Sequence, residues 1–119
     1  MMSKFAGAED FVPLRPVEFQ VLLSLSHGPR HGYRIIQDAE ERGEGRAVPG
    51  LATLYRALRR LEAKKLIRQW TDPSPEDERR RPYELSELGR EVARLESRRL
   101  ASQLRSAEEA ALLGEGAPR

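Results

Sequence analysis

The sequence predicts a mainly α-helical domain that carries a small β-hairpin and ends in a long helix. Three observations support this fold class. Apolar residues recur at helical spacing in four separate segments. Two short apolar runs flank a polar loop, DPSPEDER (72–79), which contains two prolines. The last helical segment continues from residue 86 towards residue 113 with no further domain to pack on.

Length and composition limit the function classes. The chain has 119 residues, enough for one domain with a single modest core. It contains no cysteine, which excludes disulfides and thiolate metal sites. The N-terminal MMSKFAGAED has no apolar run of the kind found in signal peptides, and no apolar stretch approaches the length of a membrane span. We therefore expect a cytoplasmic protein that makes no membrane contact.

The first helix is predicted to begin at Pro16, because proline suits the first turn of a helix. Apolar residues then leave little polar face before HGP at 27–29. A helix that is apolar nearly all round is buried on several sides. We expect it to pack in the core and against a partner chain.

The second helix is predicted over residues 30–42, and Gly43 is its expected stop. Its inner stripe is predicted to consist of Tyr33, Ile36 and Ala39, with Ile35 beside it.

The third helix is predicted over residues 51–64, after a loop with a short extended piece at 46–48. Four leucines fall at one clean helical spacing and form its predicted inner stripe: Leu51, Leu54, Leu58 and Leu61. Polar and basic residues point elsewhere.

The runs LIRQW (66–70) and RPYEL (81–85) are predicted to form the two strands of a hairpin with a long tip. Ser86 is a suitable N-cap for the fourth helix. The chain then divides into a loose arm (1–12), a globular unit (13–85), the long helix (86–113) and a frayed tail (114–119).

Three helices followed by a two-stranded wing is the winged helix-turn-helix arrangement. In that geometry the third helix enters the major groove of DNA. The long fourth helix has no further domain to pack on. We therefore expect the chain to form a homodimer in which the first and fourth helices contact the partner chain. The predicted dimer contacts are Val17, Val21, Leu88, Val92, Leu95, Leu100 and Leu104.

Three motifs resemble the PadR-like family of bacterial transcriptional regulators. These are HGYRIIQDAEERG (31–43), ATLYRALRRLEAKKLI (52–67) and RRPYELSELGREV (80–92), in the family's order and spacing. The resemblance covers roughly residues 14–95, and the short C-terminal part suits the family's small subtype. It implies a homodimeric winged-helix DNA binder, usually a repressor, of a family in which many members are released from DNA by a small-molecule effector.

The basic charge is concentrated near the third helix, where residues 51–68 hold six basic residues and one acid against a net charge of +2 for the chain. Lysine and arginine contacts to phosphate release counterions, and arginine also binds guanine edges. The predicted contacts to a pseudo-palindromic double-stranded operator are Arg34, Thr53, Tyr55, Arg56, Arg59, Arg60, Arg79, Arg80 and Arg81.

Alternatives remain for several of these residues. The basic helix alone is also typical of a solvated amphipathic helix, because charge runs are common. The rival function is a winged-helix interaction module whose basic helix binds an acidic partner protein. The wing tip carries Asp72, Glu76, Asp77 and Glu78, so its arginines are as consistent with pairing there as with DNA contact. Tyr55 fits either a phosphate contact or partial burial, and His31 fits either a phosphate contact or a corner of the fold.

Catalysis and metal binding are not expected. His27 and His31 are separated by a helix-breaking HGPRH, and no third ligand pattern accompanies them. The paired acids at 40–41 and 108–109 are adjacent and therefore face different directions on a helix. No nucleophile elbow or glycine-rich phosphate loop occurs, so no cofactor is predicted. Trp70 is expected to pack under the wing.

Overall fold

The computed structural model describes residues 7–70 and 82–114. In chain order it contains a 3₁₀ turn, three helices with a second 3₁₀ turn between the last two, a two-stranded hairpin and a long helix. Their bounds are Ala8–Phe11 (3₁₀), α1 Pro16–Leu25, α2 Gly32–Glu41, Gly45–Ala47 (3₁₀), α3 Leu51–Ala63, β1 Ile67–Gln69, β2 Tyr83–Leu85 and α4 Glu87–Glu109. The predicted fold class, a mainly α-helical winged helix with a long C-terminal helix, is confirmed.

Helix α1 is the centre of the domain, as its apolar sequence predicts. It contacts α2, α3 and α4. Its start is fixed by Pro16 and by Glu18, whose carboxylate accepts the Arg15 backbone N–H at 3.0 Å. In its middle, the Arg42 guanidinium donates to the Gln20 side chain at 2.7 Å and to Ser24 Oγ at 3.2 Å. The second helix is thereby tied to the first by hydrogen bonds as well as by packing.

The hairpin is held on two sides. Strands β1 and β2 are antiparallel, with Ile67 opposite Leu85. Tyr83 also exchanges two backbone hydrogen bonds with Arg30, of 3.0 and 2.9 Å, which join β2 to the corner between α1 and α2. The wing is therefore anchored to the domain through backbone pairing and through the buried side chains of Ile67 and Leu85.

The junction between the hairpin and α4 requires a glycine. Ser86 caps α4 by accepting the Gly89 N–H at 2.9 Å, and its own hydroxyl donates to the Leu66 carbonyl at 3.0 Å. A Cβ on Gly89 would overlap that carbonyl oxygen, so no larger residue fits without moving the backbone. The start of α4 is consequently packed directly onto the start of the hairpin.

The N-terminal segment is better ordered than predicted. Residues 8–12 were expected in a loose arm, whereas Ala8–Phe11 forms a 3₁₀ turn against α4 and Ala8 is fully buried. Glu96 of α4, 1% exposed, accepts the Leu14 N–H at 2.9 Å and the Arg99 guanidinium at 2.6 Å. These bonds satisfy a carboxylate that would otherwise be costly to bury.

Several predicted inner positions are wrong. Tyr33 is 65% exposed and Leu51 is 49% exposed, while Ile35 is fully buried. Tyr33 and Leu51 lie in the first turns of α2 and α3. The neighbouring helices cover the later turns of α2 and α3 but leave these two side chains exposed. Residues 46–48 were expected to be extended, but Gly45–Ala47 is a 3₁₀ turn, and α4 ends at Glu109 rather than near residue 113.

The predicted dimer contacts are also revised. Val21 and Val92 have no exposed surface in the single chain, and Val17 is 7% exposed. Side chains enclosed by their own chain have no surface to offer a partner, so this part of the prediction is wrong. Leu88 and Leu95 are half-buried against the same core. Among the residues predicted for the dimer, this leaves Leu100, half-buried outside that core, and Leu104, 50% exposed.

No helix in residues 7–70 or 82–114 has both the length and the apolarity needed to cross a membrane.

The Glu96 cluster predicts an acid-sensitive stability. Hydrogen bonding to Arg99, partly opposed by burial, lowers the pKa of Glu96 below its ordinary value. The pKa of Glu96 is lower in the folded protein than in the unfolded chain, where it is about 4.3. Glu96 therefore contributes its full stabilisation well above that pH, and the contribution is lost as the pH falls through the folded pKa. We expect Glu96→Gln to reduce the free energy of unfolding at neutral pH by about 1–2 kcal/mol and to flatten its decline in acid.

Urea unfolding of both proteins between pH 3 and pH 7 (about the range in which carboxylates titrate) measures this effect. Glu44→Gln, at an exposed position after α2, is the matched control and should behave as wild type. Parallel pH curves for the wild type and Glu96→Gln would contradict the assignment.

Candidate nucleic-acid interface

The third helix has one face in the core and one face in solvent. Its inner face consists of fully or almost fully buried apolar side chains: Leu54, Ala57, Leu58 and Leu61. Its outer face carries Ala52, Tyr55, Arg56 and Arg59, all exposed. The predicted separation of α3 into an apolar inner face and a basic outer face is therefore present. Ala57 belongs to the inner face and Leu51, which was predicted there, does not.

Arg56 and Arg59 are the available cations of this face. Arg56 makes a long contact of 3.4 Å with the Thr53 hydroxyl, which links two of the residues predicted to bind DNA. Among the described residues, no carboxylate lies within ion-pairing distance of either guanidinium. A neighbouring anion would compete with phosphate, so its absence from this part of the structure favours nucleic-acid contact.

Arg60 is held differently from its neighbours on α3. Its Nε lies 3.3 Å from the carboxylate of Glu18 on α1, and the Lys64 ammonium lies 3.8 Å from the same oxygen. Glu18 is 2% exposed and needs cationic partners to remain charged there. Contact of Arg60 with DNA stays a prediction, and a phosphate that binds Arg60 would have to compete with Glu18.

Arg34 is likewise paired within its own helix. Its Nε lies 2.9 Å from Asp38 one turn further along α2, and its Nη2 lies 3.8 Å from Glu41. Arg30 approaches the same Asp38 at 3.6 Å. A phosphate contact by Arg34 would have to compete with two carboxylates. His31 is exposed at the N-cap of α2, where a DNA contact stays a prediction.

Tyr55 links α3 to the start of α2. A Cβ placed on Gly32 would lie 3.6 Å from both the Tyr55 hydroxyl oxygen and its Cε1, so the ring covers the first residue of α2. The side chain nevertheless remains 43% exposed. It is therefore partly a packing residue and partly available to a ligand, and the two readings that the sequence leaves open are both compatible with its position.

Tyr83 is a residue of this region that the sequence reasoning missed. Burial, with Glu62 nearby, raises the pKa of Tyr83 above its ordinary value, while Arg59 opposes the shift. A hydrogen bond with the Gln69 side chain also opposes the shift, and it ties the Tyr83 hydroxyl to the neighbouring strand β1. The only signal in the sequence was an aromatic residue in a predicted strand, which is more often simply core.

The wing can be described only at its base. Arg68 pairs with Glu84 across the two strands at 2.9 Å, and the backbone N–H of Trp70 donates to the Pro82 carbonyl at 2.8 Å. Arg79, Arg80, Arg81 and the acidic tip lie outside the described residues, so their contact with DNA stays a prediction.

A groove lies between the end of α1 and the first half of α4. It has a volume of about 350 Å³ and an apolar floor with arginines among its lining residues: Leu22, Leu23, Ser26, Leu85, Arg90, Ala93, Arg94, Ser97 and Arg98. The groove lies on a different part of the domain from the outer face of α3, because none of its lining residues belongs to α3. Within residues 7–70 and 82–114, no group of His, Asp or Glu is arranged to hold a metal ion.

Three packed helices, an anchored hairpin and a basic outer face on the third helix define a winged-helix protein with a candidate DNA surface. A sequence model of the Transcriptional regulator PadR-like family matches residues 21–95, more than half of the chain. The chain belongs to the PadR-like family of transcriptional regulators, as the motif resemblance predicts. The chain is therefore a member of a family of transcriptional regulators that bind DNA.

Solved structures support the same fold. A Streptococcus transcriptional regulator is 26% identical, covers 79% of this chain and 90% of its own, and superposes with a TM-score of 0.65. A PadR family transcription regulator from Clostridium difficile is 22% identical, covers 78% and 95% respectively, and has a TM-score of 0.63. At the latter identity the likeness concerns the fold alone.

A curated relative is described as an uncharacterized 37.1 kDa protein in transposon TN4556 of Streptomyces fradiae. It is 43% identical over 81 residues, which make up 68% of this chain. The chain spans only 22% of the length of that relative.

The different surroundings of Arg56 and Arg60 predict separable effects. We expect Arg60→Ala to lower the free energy of unfolding by about 1–2 kcal/mol, because Glu18 loses a partner while Lys64 remains. Arg56→Ala should leave stability within about 0.5 kcal/mol of wild type, since Arg56 is exposed.

Urea unfolding of the two variants, of Glu18→Gln and of the double variant Glu18→Gln/Arg60→Ala tests the assignment. The double variant should be less destabilised than the sum of its single changes, because the two side chains interact. Additive effects, or an Arg60→Ala protein as stable as wild type, would show that the ion pair contributes nothing.

Proposed function

We propose that the protein is a homodimeric repressor in which the outer faces of two α3 helices bind successive major-groove segments of a pseudo-palindromic operator. The observation that carries this proposal is the exposure of Arg56 and Arg59 on α3, with no ion-pairing carboxylate among the described residues. Family membership supports DNA binding, and the resemblance to the family supports repression rather than activation.

The roles of the two arginines follow from chemistry. A guanidinium can hold guanine O6 and N7 at once or bind a phosphate oxygen. Arg56 and Arg59 lie three residues apart and therefore neighbour each other along the outer face of α3. Arg60 and Lys64 support them from the inner side by fixing α3 to α1 rather than by touching DNA.

Dimerisation is part of the same proposal. Helix α4 has 23 residues, but the side chains from residue 101 onward are exposed, apart from the half-buried Ala107. A helix end without tertiary contacts is only marginally stable in water. Leu100 and Leu104 share a face with Ala93 and Ser97 of the groove, because these positions are related by helical spacing. We infer that this face binds the same face of a second chain.

Charge supports an antiparallel arrangement of the two α4 helices. The first half of α4 carries three arginines one turn apart: Arg90, Arg94 and Arg98. The last turn carries Glu108 and Glu109. An isologous, antiparallel pair brings the acidic end of each helix towards the basic half of the other. Opposite charges there favour this register over a parallel one.

A small-molecule effector is a further element of the proposal, supported by the resemblance to the family. The groove of about 350 Å³ falls in the size range of small-molecule sites and borders the inferred dimer face. A ligand in the groove would be close to both α1 and the partner chain. If it lowered the affinity of the protein for DNA, bound DNA would lower the affinity of the protein for the ligand by the same factor.

DNA binding is tested by salt titration of duplex affinity. The logarithm of affinity should fall steeply with the logarithm of salt concentration, and loss of one phosphate contact should reduce the slope by about 0.9. We expect Arg56→Ala and Arg59→Ala each to weaken binding by about 1–3 kcal/mol, with a loss that depends on sequence if a base is read and is uniform if a phosphate is contacted.

The matched control is Arg105→Ala, which removes the same charge from an exposed position on α4. It should retain wild-type affinity. No duplex binding by wild type at low salt would defeat the proposal and favour a winged-helix module that binds an acidic partner protein.

The dimer is tested by one exposed leucine. Leu104→Asp should convert a dimer into a monomer, because a carboxylate would be buried in an apolar contact. Sedimentation velocity at micromolar protein measures the mass. Leu51→Asp places the same change on a leucine of almost equal exposure, 49% against 50%, at the start of α3 rather than on α4, and should remain dimeric. A monomeric wild type would contradict the proposal.

A further inference from the structure

The start of α3 carries apolar side chains that the core does not use. Leu51 is 49% exposed, Tyr55 is 43% exposed, and Ala52 is exposed as well. The core is already complete without them, since the later residues of α3 fill it. Large apolar groups gain free energy when they leave water, and neighbouring exposed ones commonly mark a binding surface.

These side chains continue the basic face of the helix. Leu51, Tyr55 and Arg59 are spaced four residues apart and form one row along the helix. No charged residue of α3 precedes Arg56. The outer face is thus apolar over its first turn and cationic over the next two. A single ligand that covers the whole face must offer an apolar group and negative charge in that order.

The neighbouring structure fixes the direction of this face. The Tyr55 ring is held against the start of α2, 3.6 Å from the position of a Cβ on Gly32. Leu51 lies one turn earlier in the same row, and Ala52 stands beside it. Both side chains are therefore at the N-terminal tip of α3, on the side that faces away from the core.

Duplex DNA offers the matching pattern. The C5-methyl group of thymine is the apolar group on the base edges of the major groove, and phosphates and guanine edges accept from arginine. In helix-turn-helix docking, the N-terminal residues of the recognition helix reach the base edges. We propose that Leu51 and Ala52 bind thymine methyl groups, so that each half-site carries thymine where it faces the start of α3.

This inference rests on the proposed function, because it requires α3 to enter the major groove. It adds a base preference to that function. The apolar tip selects thymine by its methyl group, while the arginines that follow supply affinity and contact to guanine or phosphate. Cytosine lacks the C5-methyl group and carries an amino donor where thymine has O4, so it would place a donor near an apolar surface that offers no side-chain acceptor.

The test uses deoxyuridine, which differs from thymidine only by the missing methyl group. Duplexes bound by the wild-type protein are selected from a random library, and the best is resynthesised with uracil at each thymine in turn. We expect uracil to weaken wild-type binding about four-fold at a few positions in each half-site, the loss associated with one buried methylene-sized group. Other positions should show no change.

The variant Leu51→Ala links the effect to the side chain. Alanine keeps the helix, so this variant should bind the thymine duplex more weakly and should become less sensitive to uracil at the positions that Leu51 contacts, while the positions that Ala52 contacts keep their sensitivity. Leu112→Ala, an exposed leucine beyond the end of α4, is the matched control and should keep the wild-type profile.

The outcomes separate the two proposals. Unchanged wild-type affinity for every one of the uracil-containing duplexes overturns the methyl contact and leaves salt-dependent DNA binding intact. Undiminished uracil sensitivity in Leu51→Ala overturns the assignment to that residue. A library from which no duplex is enriched overturns both the methyl contact and the proposed function.

Discussion

The buried carboxylate of Glu18 is the constraint on which the placement of the third helix depends. It lies in the first turn of α1, is 2% exposed, and accepts the Arg15 N–H while Arg60 and Lys64 approach it from α3. An ionised carboxylate removed from water is unfavourable unless such partners surround it. The packing of α1 against α3 therefore has a polar component at one edge. Apolar packing alone leaves a helix more freedom to slide or rotate than a contact that must also satisfy a charge.

This constraint divides the basic residues of α3 by function. Arg60 and Lys64 serve the fold, and Arg56 and Arg59 remain in solvent. Some basic residues of a segment pair with carboxylates of the protein itself. Counting basic residues therefore gives only the largest possible number of ionic contacts with DNA. The same holds for α2, where Arg34 is paired with Asp38. The electrostatic surface that a phosphate would meet is smaller and more directed than the composition of residues 51–68 suggests.

The sequence was sufficient for the order of helices and strands, because hydrophobic periodicity depends on local spacing that folding preserves. It was insufficient for Tyr33 and Leu51, which continue the apolar pattern into turns that no neighbouring helix covers. The pairing of Arg30 with Tyr83 could not be predicted, since one isolated bridge between distant residues leaves no periodic signal. The DNA contacts of the candidate arginines stay predictions, and no local pattern in the sequence indicates that Glu18 is within reach of Arg60, 42 residues away, and not of Arg56.

Helix α1 also connects the two surfaces to which function is assigned. Its first turn holds α3 through Glu18, and its last turns line the groove beside α4 through Leu22 and Leu23. Between them, Arg42 ties α1 to α2 by hydrogen bonds to Gln20. If the proposed partner chain or ligand shifted α4 against α1, these contacts would have to absorb the shift. Because packed helices change position in discrete steps rather than continuously, we propose that α1, which contacts both α3 and α4, would transmit such a shift from the groove to α3.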